Sequence, residues 1–330
     1  MVAIPDRSDN QSDDETKHEQ RLIPTVMGKS ARFKDALPAS ITKSASKQTF
    51  YTIRYLVDPE RRLDAYRAYA YFRWVDDQLD QTLSDKLERV AFAARQISIV
   101  DHCYGGDWHQ TITTEERMIV DLIRNDPDET SGIHAYIRNM LAVMAFDANR
   151  RGSLITDDEL NEYSLHLASA VTEALHYFIG HNNPSPLIPD RYLAVTAAHI
   201  THMLRDTRED VASGYFNVPR SLLETAGIDP GELSSDPYRT WVKSRVELAR
   251  DYFRAGKSYL AQVKSFRCRL AGYAYIARFE VLLSAIERDG YLIRSAYPER
   301  KSLPGVMRMV TSVIINGLGF ATRKQLTESF

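Results

Sequence analysis

The chain has 330 residues, enough for one large domain or two. Its 44% hydrophobic and 26% charged residues are those of a soluble globular protein, and a net charge of −2 excludes an electrostatic case for nucleic acid. The two cysteines, Cys103 and Cys268, stand far apart without metal-ligand spacing, which excludes a disulfide framework and fits a cytoplasmic setting.

Residues 1–36 are polar and charge-rich, and read as a disordered N-terminal extension without the apolar core of a secretory signal. From about Leu37 the pattern is helical. Leu83, Leu87, Val90, Ala94 and Ile97 recur at helical spacing, as do Ile133, Ile137, Met140, Leu141 and Met144. Leu160, Tyr163, Leu167, Val171, Ala174 and Phe178 form a third such stripe. Residues 237–262 and 268–293 read as two further long helices. Breakers fall between these segments, at Gly105-Gly106, Asp126-Pro127, Gly152, Asn183-Pro184-Ser185-Pro186, Gly214 and Asp229-Pro230-Gly231. No alternating strand pattern and no repeat is visible. The expectation is one all-α domain over residues 37–296, followed by a tail, residues 297–330, that can be amphipathic. Leu303 to Phe320 is apolar, but it contains Pro304, Arg308 and three glycines and does not read as a membrane span. Peripheral contact with a membrane stays compatible.

Two stretches carry the chemistry, Tyr69 to Asp80 and His199 to Asp210. Each holds two aspartates four residues apart, which a helix places on one face. Tyr69, Arg73, Asp76 and Asp80 form one stripe; His199, His202, Asp206 and Asp210 form another. One such pair alone fits an ordinary solvated helix face. Two pairs, each beside an arginine and the first within the apolar run Ala65 to Leu79, fit a shared negative cleft better. Buried carboxylates need cations to neutralise them, and an all-oxygen ligand set suits Mg²⁺ bridging to phosphates. Arg73 has two readings, a bidentate phosphate contact or an ion pair with Asp76 or Asp77. Tyr66 and Tyr69 likewise either face a carbocation in the cleft or pack in the core. Asp77 is off the stripe.

These residues resemble the squalene/phytoene synthases, the head-to-head trans-isoprenyl diphosphate synthases, over roughly residues 40–295. The first motif is Tyr69 to Asp80, with Arg73 and the DDxxD of Asp76, Asp77 and Asp80. The second is Leu204 to Asp210 followed by Gly214-Tyr215-Phe216-Asn217-Val218-Pro219, and Ile286 to Tyr291 is similar to the end of the family's last core helix. The resemblance implies a single-domain isoprenoid-synthase bundle with both motifs facing a central cavity. It implies that two prenyl diphosphates, farnesyl or geranylgeranyl, join through a cyclopropylcarbinyl diphosphate to a squalene- or phytoene-type hydrocarbon of isoprenoid and carotenoid biosynthesis. Tyr69, Arg73, Asp76, Asp80, Asp206 and Asp210 are the catalytic residues it implies, the four stripe aspartates holding Mg²⁺ or, in its place, Mn²⁺. Arg73, His199, His202, Arg205, Tyr66 and Tyr163 are the substrate-binding residues it implies. No dinucleotide fingerprint indicates NADPH, although family members use NADPH without one. Prenyl chain length and oligomeric state are not fixed by spacing.

The chain departs from the family pattern Gln-x-x-Asn-x-x-Arg-Asp by placing His199 at the Gln and His202 at the Asn. It also has Tyr163-Ser164-Leu165 and Ala168-Ser169-Ala170-Val171-Thr172 where the family shows Tyr-x-Tyr and Ala-Gly-x-Val-Gly. Both histidines are expected to face the cavity. They read as neutral hydrogen-bonding substitutes or as part of a remodelled acceptor site; nearby carboxylates would favour a protonated ring, and bound Mg²⁺ would oppose it. Transfer of one prenyl group to a non-prenyl, for example aromatic, acceptor is therefore an alternative. So is a non-catalytic binding or assembly protein on the same scaffold, and so is a zinc or iron site at His199, His202 and Asp206, which lacks Glu-x-x-His partners. The cavity beneath the aspartates is expected to be elongated and apolar, with walls from Phe50, Tyr66, Val143, Phe146, Leu167 and Ala170.

Overall fold

The computed structural model describes residues 36–107, 111–180 and 185–301. The expected N-terminal extension lies outside the described residues but for residue 36, as does nearly all of the expected tail. Helix α1 (36–45) leads into α2 (Lys47–Leu56), whose first turn is capped by the Ser46 hydroxyl. A short 3₁₀ turn, Pro59–Arg61, feeds α3 (Arg62–Asp77). Ala65, Ala68, Phe72 and Val75 give α3 its inward stripe. The α-helix does not continue to Asp80. It opens into a π-helical turn, Gln78–Thr82, closed by the Leu83 N–H on the Gln78 carbonyl at 2.9 Å. Asp76 and Asp80 are thus not two turns of one α-helix, as their spacing suggests.

Asp85 caps α4 (Lys86–Tyr104) by accepting from the Leu87 and Glu88 amides. The inward face of α4 differs from the expected stripe. Leu83 precedes the helix, Leu87 is 79% exposed and Ala94 is exposed. Arg89, Ala93, Gln96, Val100 and Cys103 turn inward instead. The polar pair is buried because it is bonded: Arg89 donates to the carbonyls of Leu83, Ser84 and Ala148, and Gln96 bridges Tyr71 and Glu116.

α5 (Glu116–Asn125) packs on α3 and α4, and α6 (Gly132–Arg150) pairs with α7 (Asp157–Ile179). Thr156 and Glu159 start α7 with a reciprocal capping box. α8 (Leu193–Ala212) lies between α7 and α10 (Asp236–Leu260), with the short α9 (Arg220–Ala226) joining them, and α11 (Phe266–Arg288) closes the bundle. Gly256 of α10 lets α8 approach closely, since a Cβ there would stand 2.6 Å from that of Ala194. The loop before α7 is tied to the loop after α8. Gly152 N–H meets the Gly214 carbonyl at 2.7 Å, and Arg220 N–H meets that of Ile155 at 2.8 Å. Gly214 has φ +84°, a conformation that favours glycine. The Ile155–Pro219 bridge is the only β-pairing among the described residues. No helix among them is long and apolar enough to cross a membrane.

Candidate active site

α3 and α8 bring their carboxylates to one cavity of about 390 Å³. Asp76 and Asp80 line it from one side, Asp206 and Asp210 from the other. Asp147 of α6 makes five carboxylates around this space, against the guanidiniums of Arg73 and Arg150. Tyr163, Leu167, His199, His202 and Met203 complete the cavity wall.

The first motif is held largely by its own helix. Arg73 bonds Asp76 at 3.0 Å and also pairs with Asp77. This is the ion-pair reading of Arg73, and it gives the off-stripe Asp77 a role. Asp80, carried on the π turn, accepts the Tyr215 hydroxyl at 3.0 Å. Burial, reinforced by Asp80, pushes the Asp76 carboxyl up to about 7.

The second motif is held from elsewhere in the chain, Asp206 excepted, which pairs with the adjacent Arg205. The Asn217 amide donates to Asp210 at 2.8 Å, and Arg150 orients that amide by donating to its oxygen at 2.9 Å. Arg150 also pairs with Asp147 at 2.8 Å, and Asp147 accepts the Tyr163 hydroxyl at 3.0 Å. The Arg150 guanidinium lies 5.0 Å from the Tyr163 ring centroid and 5.1 Å from that of Tyr215. Burial, then Asp206, raises Asp210 to about 7, and burial raises Asp147 as well.

Both histidines line the cavity, and each packs on an aromatic ring. His199 lies against Tyr163 at 5.2 Å between centroids, His202 against Phe279 at 4.7 Å. His199 is buried, and its Nε2 has no hydrogen-bond partner among the described residues. Burial, with Arg150 and Arg245 nearby, pushes it down to about 3, so the ring is neutral. Desolvation and the two guanidiniums act in the same direction, so His199 fits the reading as a neutral substitute rather than a protonated ring.

Three of the named residues do not line this cavity. Tyr66 stacks on Phe50 at 5.4 Å and donates to its carbonyl, Tyr69 is half-buried on α3, and Arg205 turns to Asp206. The expected apolar walls are split as well. Val143 and Phe146 line a neighbouring cavity of about 470 Å³ between α6 and α7, which shares Arg150 and Tyr163 with the first. Leu167 alone lines the aspartate cavity, while Phe50, Tyr66 and Ala170 line neither. The space beside the aspartates is polar because Asp147, Arg150 and Asn217 fill its side. Those three, with Tyr215, are site residues the motifs did not single out, although Tyr215 and Asn217 stand in the segment after the second motif. Among the described residues no three His, Cys, Asp or Glu side chains are gathered closely enough to form a metal cage.

The squalene/phytoene synthase family profile matches residues 43–305. A chloroplastic phytoene synthase of Daucus carota is 23% identical over 253 residues, covering 74% of this chain and 61% of the relative. Phytoene synthase 3 of Zea mays, also chloroplastic, is 23% identical over 268 residues, covering 78% of this chain and 61% of its own. The chain thus spans less than two thirds of the length of these relatives. Among solved structures, squalene synthase HpnC from Alicyclobacillus acidocaldarius superposes with a TM-score of 0.62 at 20% identity, over 80% of this chain and 96% of that one. A dehydrosqualene synthase in complex with ligand gives 0.65 at 16%, over 92% and 99%. At these identities the structures share the all-α fold.

Proposed function

The chain belongs to the squalene/phytoene synthase family, and on that premise we propose that it condenses two prenyl diphosphates head to head in the cavity between α3 and α8. The observation that carries the reading is the convergence of Asp76 and Asp80 with Asp206 and Asp210 on one cavity. In the reaction, the C1–O bond of one substrate breaks and the allylic cation is attacked by the double bond of the other. Loss of a proton leaves a cyclopropylcarbinyl diphosphate. Its own C–O bond then breaks with loss of the second diphosphate, and the rearranged cation gives a hydrocarbon by losing a proton, or by taking a hydride where a donor such as NADPH is supplied.

The donor set fits Mg²⁺. Asp76 and Asp210 both sit near 7 without a cation, so binding one would restore their ionised forms. Mg²⁺ is usually held by one or two carboxylates together with substrate phosphate and water, and the facing aspartate pairs can supply those carboxylates. Asp76, Asp80, Asp206 and Asp210 would hold it, and it would supply charge stabilisation to the departing diphosphate. Arg73 reaches a phosphate only by exchanging partners, since Asp76 and Asp77 occupy its guanidinium. Tyr163 and the neutral His199 place polarisable rings in the same cavity as the carboxylates, where they add no positive charge to oppose a cation.

One observation favours transfer to a non-prenyl acceptor as a second reading. The adjoining cavity between α6 and α7 carries Glu159 and Glu162, and its one arginine, Arg150, is already paired with Asp147. A second diphosphate is disfavoured there, a neutral amphipathic acceptor is not. Incubation with labelled farnesyl or geranylgeranyl diphosphate and Mg²⁺, followed by mass spectrometry of the extracted lipids, tests the proposal. A C30 or C40 hydrocarbon is expected. Diphosphate release without any dimeric hydrocarbon would overturn it and leave the second reading.

A further inference from the structure

Where the start of α11 meets the end of α2, both elements carry exposed aromatic rings. α2 leaves Tyr51 47% and Tyr55 66% exposed, their rings stacked 6.0 Å apart. The first residue of α11, Phe266, is 58% exposed. The two elements meet where Arg267 donates to the Leu56 carbonyl at 3.3 Å and pairs with Asp58. Tyr55 and Phe266 each stand one residue from that junction. Single exposed aromatics are ordinary on a protein surface. What sets this face apart is the cation beside each element's ring: Arg54 lies 6.0 Å from the centroid of Tyr55, and Arg269 lies 5.7 Å from that of Phe266.

The charge of the face is one-sided. Segments 43–60 and 264–269 carry six cationic side chains against two carboxylates, Asp58 and Glu60, in a chain whose net charge is −2. Asp58 is buried and paired with Arg267, so Glu60 is the exposed carboxylate of these segments. Amphipathic rings at headgroup depth, with lysines and arginines reaching lipid phosphates, are how proteins rest on an anionic bilayer. We propose that the face formed by α2 and the start of α11 docks on an anionic lipid surface. Asp76 lies fourteen residues along α3 from Arg62, about 21 Å of helix. Docking on this face therefore leaves the polar cavity in water. Docking is also independent of the proposed reaction, because vesicle binding is read without turnover.

Flotation of the full chain with vesicles of phosphatidylcholine, alone or with about 30% phosphatidylglycerol, tests it at about 0.05 M and 0.5 M salt. Binding to the anionic vesicles at low salt is expected, with a loss of roughly tenfold or more on neutral vesicles or at high salt. Each cation near an anionic surface is worth about a factor of five, so Arg54→Glu with Lys264→Glu should lower partitioning by about 25-fold or more. Tyr55→Ser with Phe266→Ser should weaken binding while keeping its salt dependence. Both pairs are surface changes whose thermal melting should match that of the parent. Absence of flotation, equal binding to neutral vesicles, or undiminished binding by both variants would overturn the proposal. A parent that does not float but forms a dimer dissociated by Phe266→Ser would instead assign this face to a second copy of the chain.

Discussion

The two aspartate motifs are similar in sequence and differ in how the fold supports them. On α3, Arg73 reaches Asp76 and Asp77 within one turn of its own helix, on side chains more than a third exposed. On α8, Asp210 depends on a relay of three residues from two other places: Asn217 in the following loop, then Arg150 and Asp147 at the end of α6. Removing a partner from a half-exposed local pair costs less than removing one from a more deeply buried relay, where a charge is left uncompensated. The second motif should therefore be the fragile one, although both contribute carboxylates to the same cavity.

The largest effect tests what the motifs share. Asp80→Ala and Asp206→Ala should each lower Mg²⁺-dependent diphosphate release by about a thousandfold or more, read with labelled substrate, since each removes charge stabilisation of the leaving group. Near-parental release from either would break the equivalence of the pairs. Stability then separates them. Arg150→Met should cost roughly 3–5 kcal/mol in denaturant unfolding, with partial recovery on adding Asp147→Asn. Arg73→Met should cost no more than about 1 kcal/mol. Equal losses would mean that the local pair is as structural as the relay.

A smaller effect is expected in the pH dependence of the metal-free protein. The folded-state values of Asp76 and Asp210 are raised from 3.8 to about 7, so ionising them opposes folding. Their contribution is most favourable below about pH 4 and declines as pH rises through 7. His199 is depressed from 6.5 to about 3, so its contribution is present above 6.5 and is lost as pH falls toward 3. Both windows lie below about pH 7, so on the limb between about pH 4 and 7 Asp210→Asn should remove a decline of melting temperature with rising pH, and on the limb between about pH 3 and 6.5 His199→Gln should remove an opposing rise. Unchanged limbs in both variants would sink this account. The smallest effect lies outside both motifs. Leu87→Glu, at a position 79% exposed, should change unfolding free energy by no more than about 0.5 kcal/mol, whereas a core leucine would not tolerate the change.

That leucine also marks where sequence reasoning stops. The long helices α6, α7, α10 and α11 are legible because their apolar residues repeat at helical spacing and their ends carry caps or breakers. In α4 the same rule chooses the wrong face, because Arg89 and Gln96 are turned inward by partners on other elements. The aspartate stripes are legible because carboxylate pairs are rare within apolar runs. Asp147, Arg150 and Asn217 are not, since a single polar residue on an amphipathic helix or loop resembles any solvated one until the neighbouring element arrives. Tyr66 misled for the complementary reason: its ring fits a cleft or a core equally well, and Phe50 decided between them.

The π turn at Gln78–Thr82 gives the first motif a dependence on chain length that the second lacks. A wide turn holds one residue more than the α-helical turn it interrupts. Deleting one residue there would restore ordinary helical bonding and swing the downstream residues by about 100°. Asp80 would then lose the Tyr215 hydroxyl with every site side chain still present. The α8 aspartates lie within an unbroken helix, where no wide turn sets their register. Insertions and deletions, more than substitutions, should therefore distinguish working from silent relatives at this turn, and a gap between two aligned sequences at this point carries geometric information.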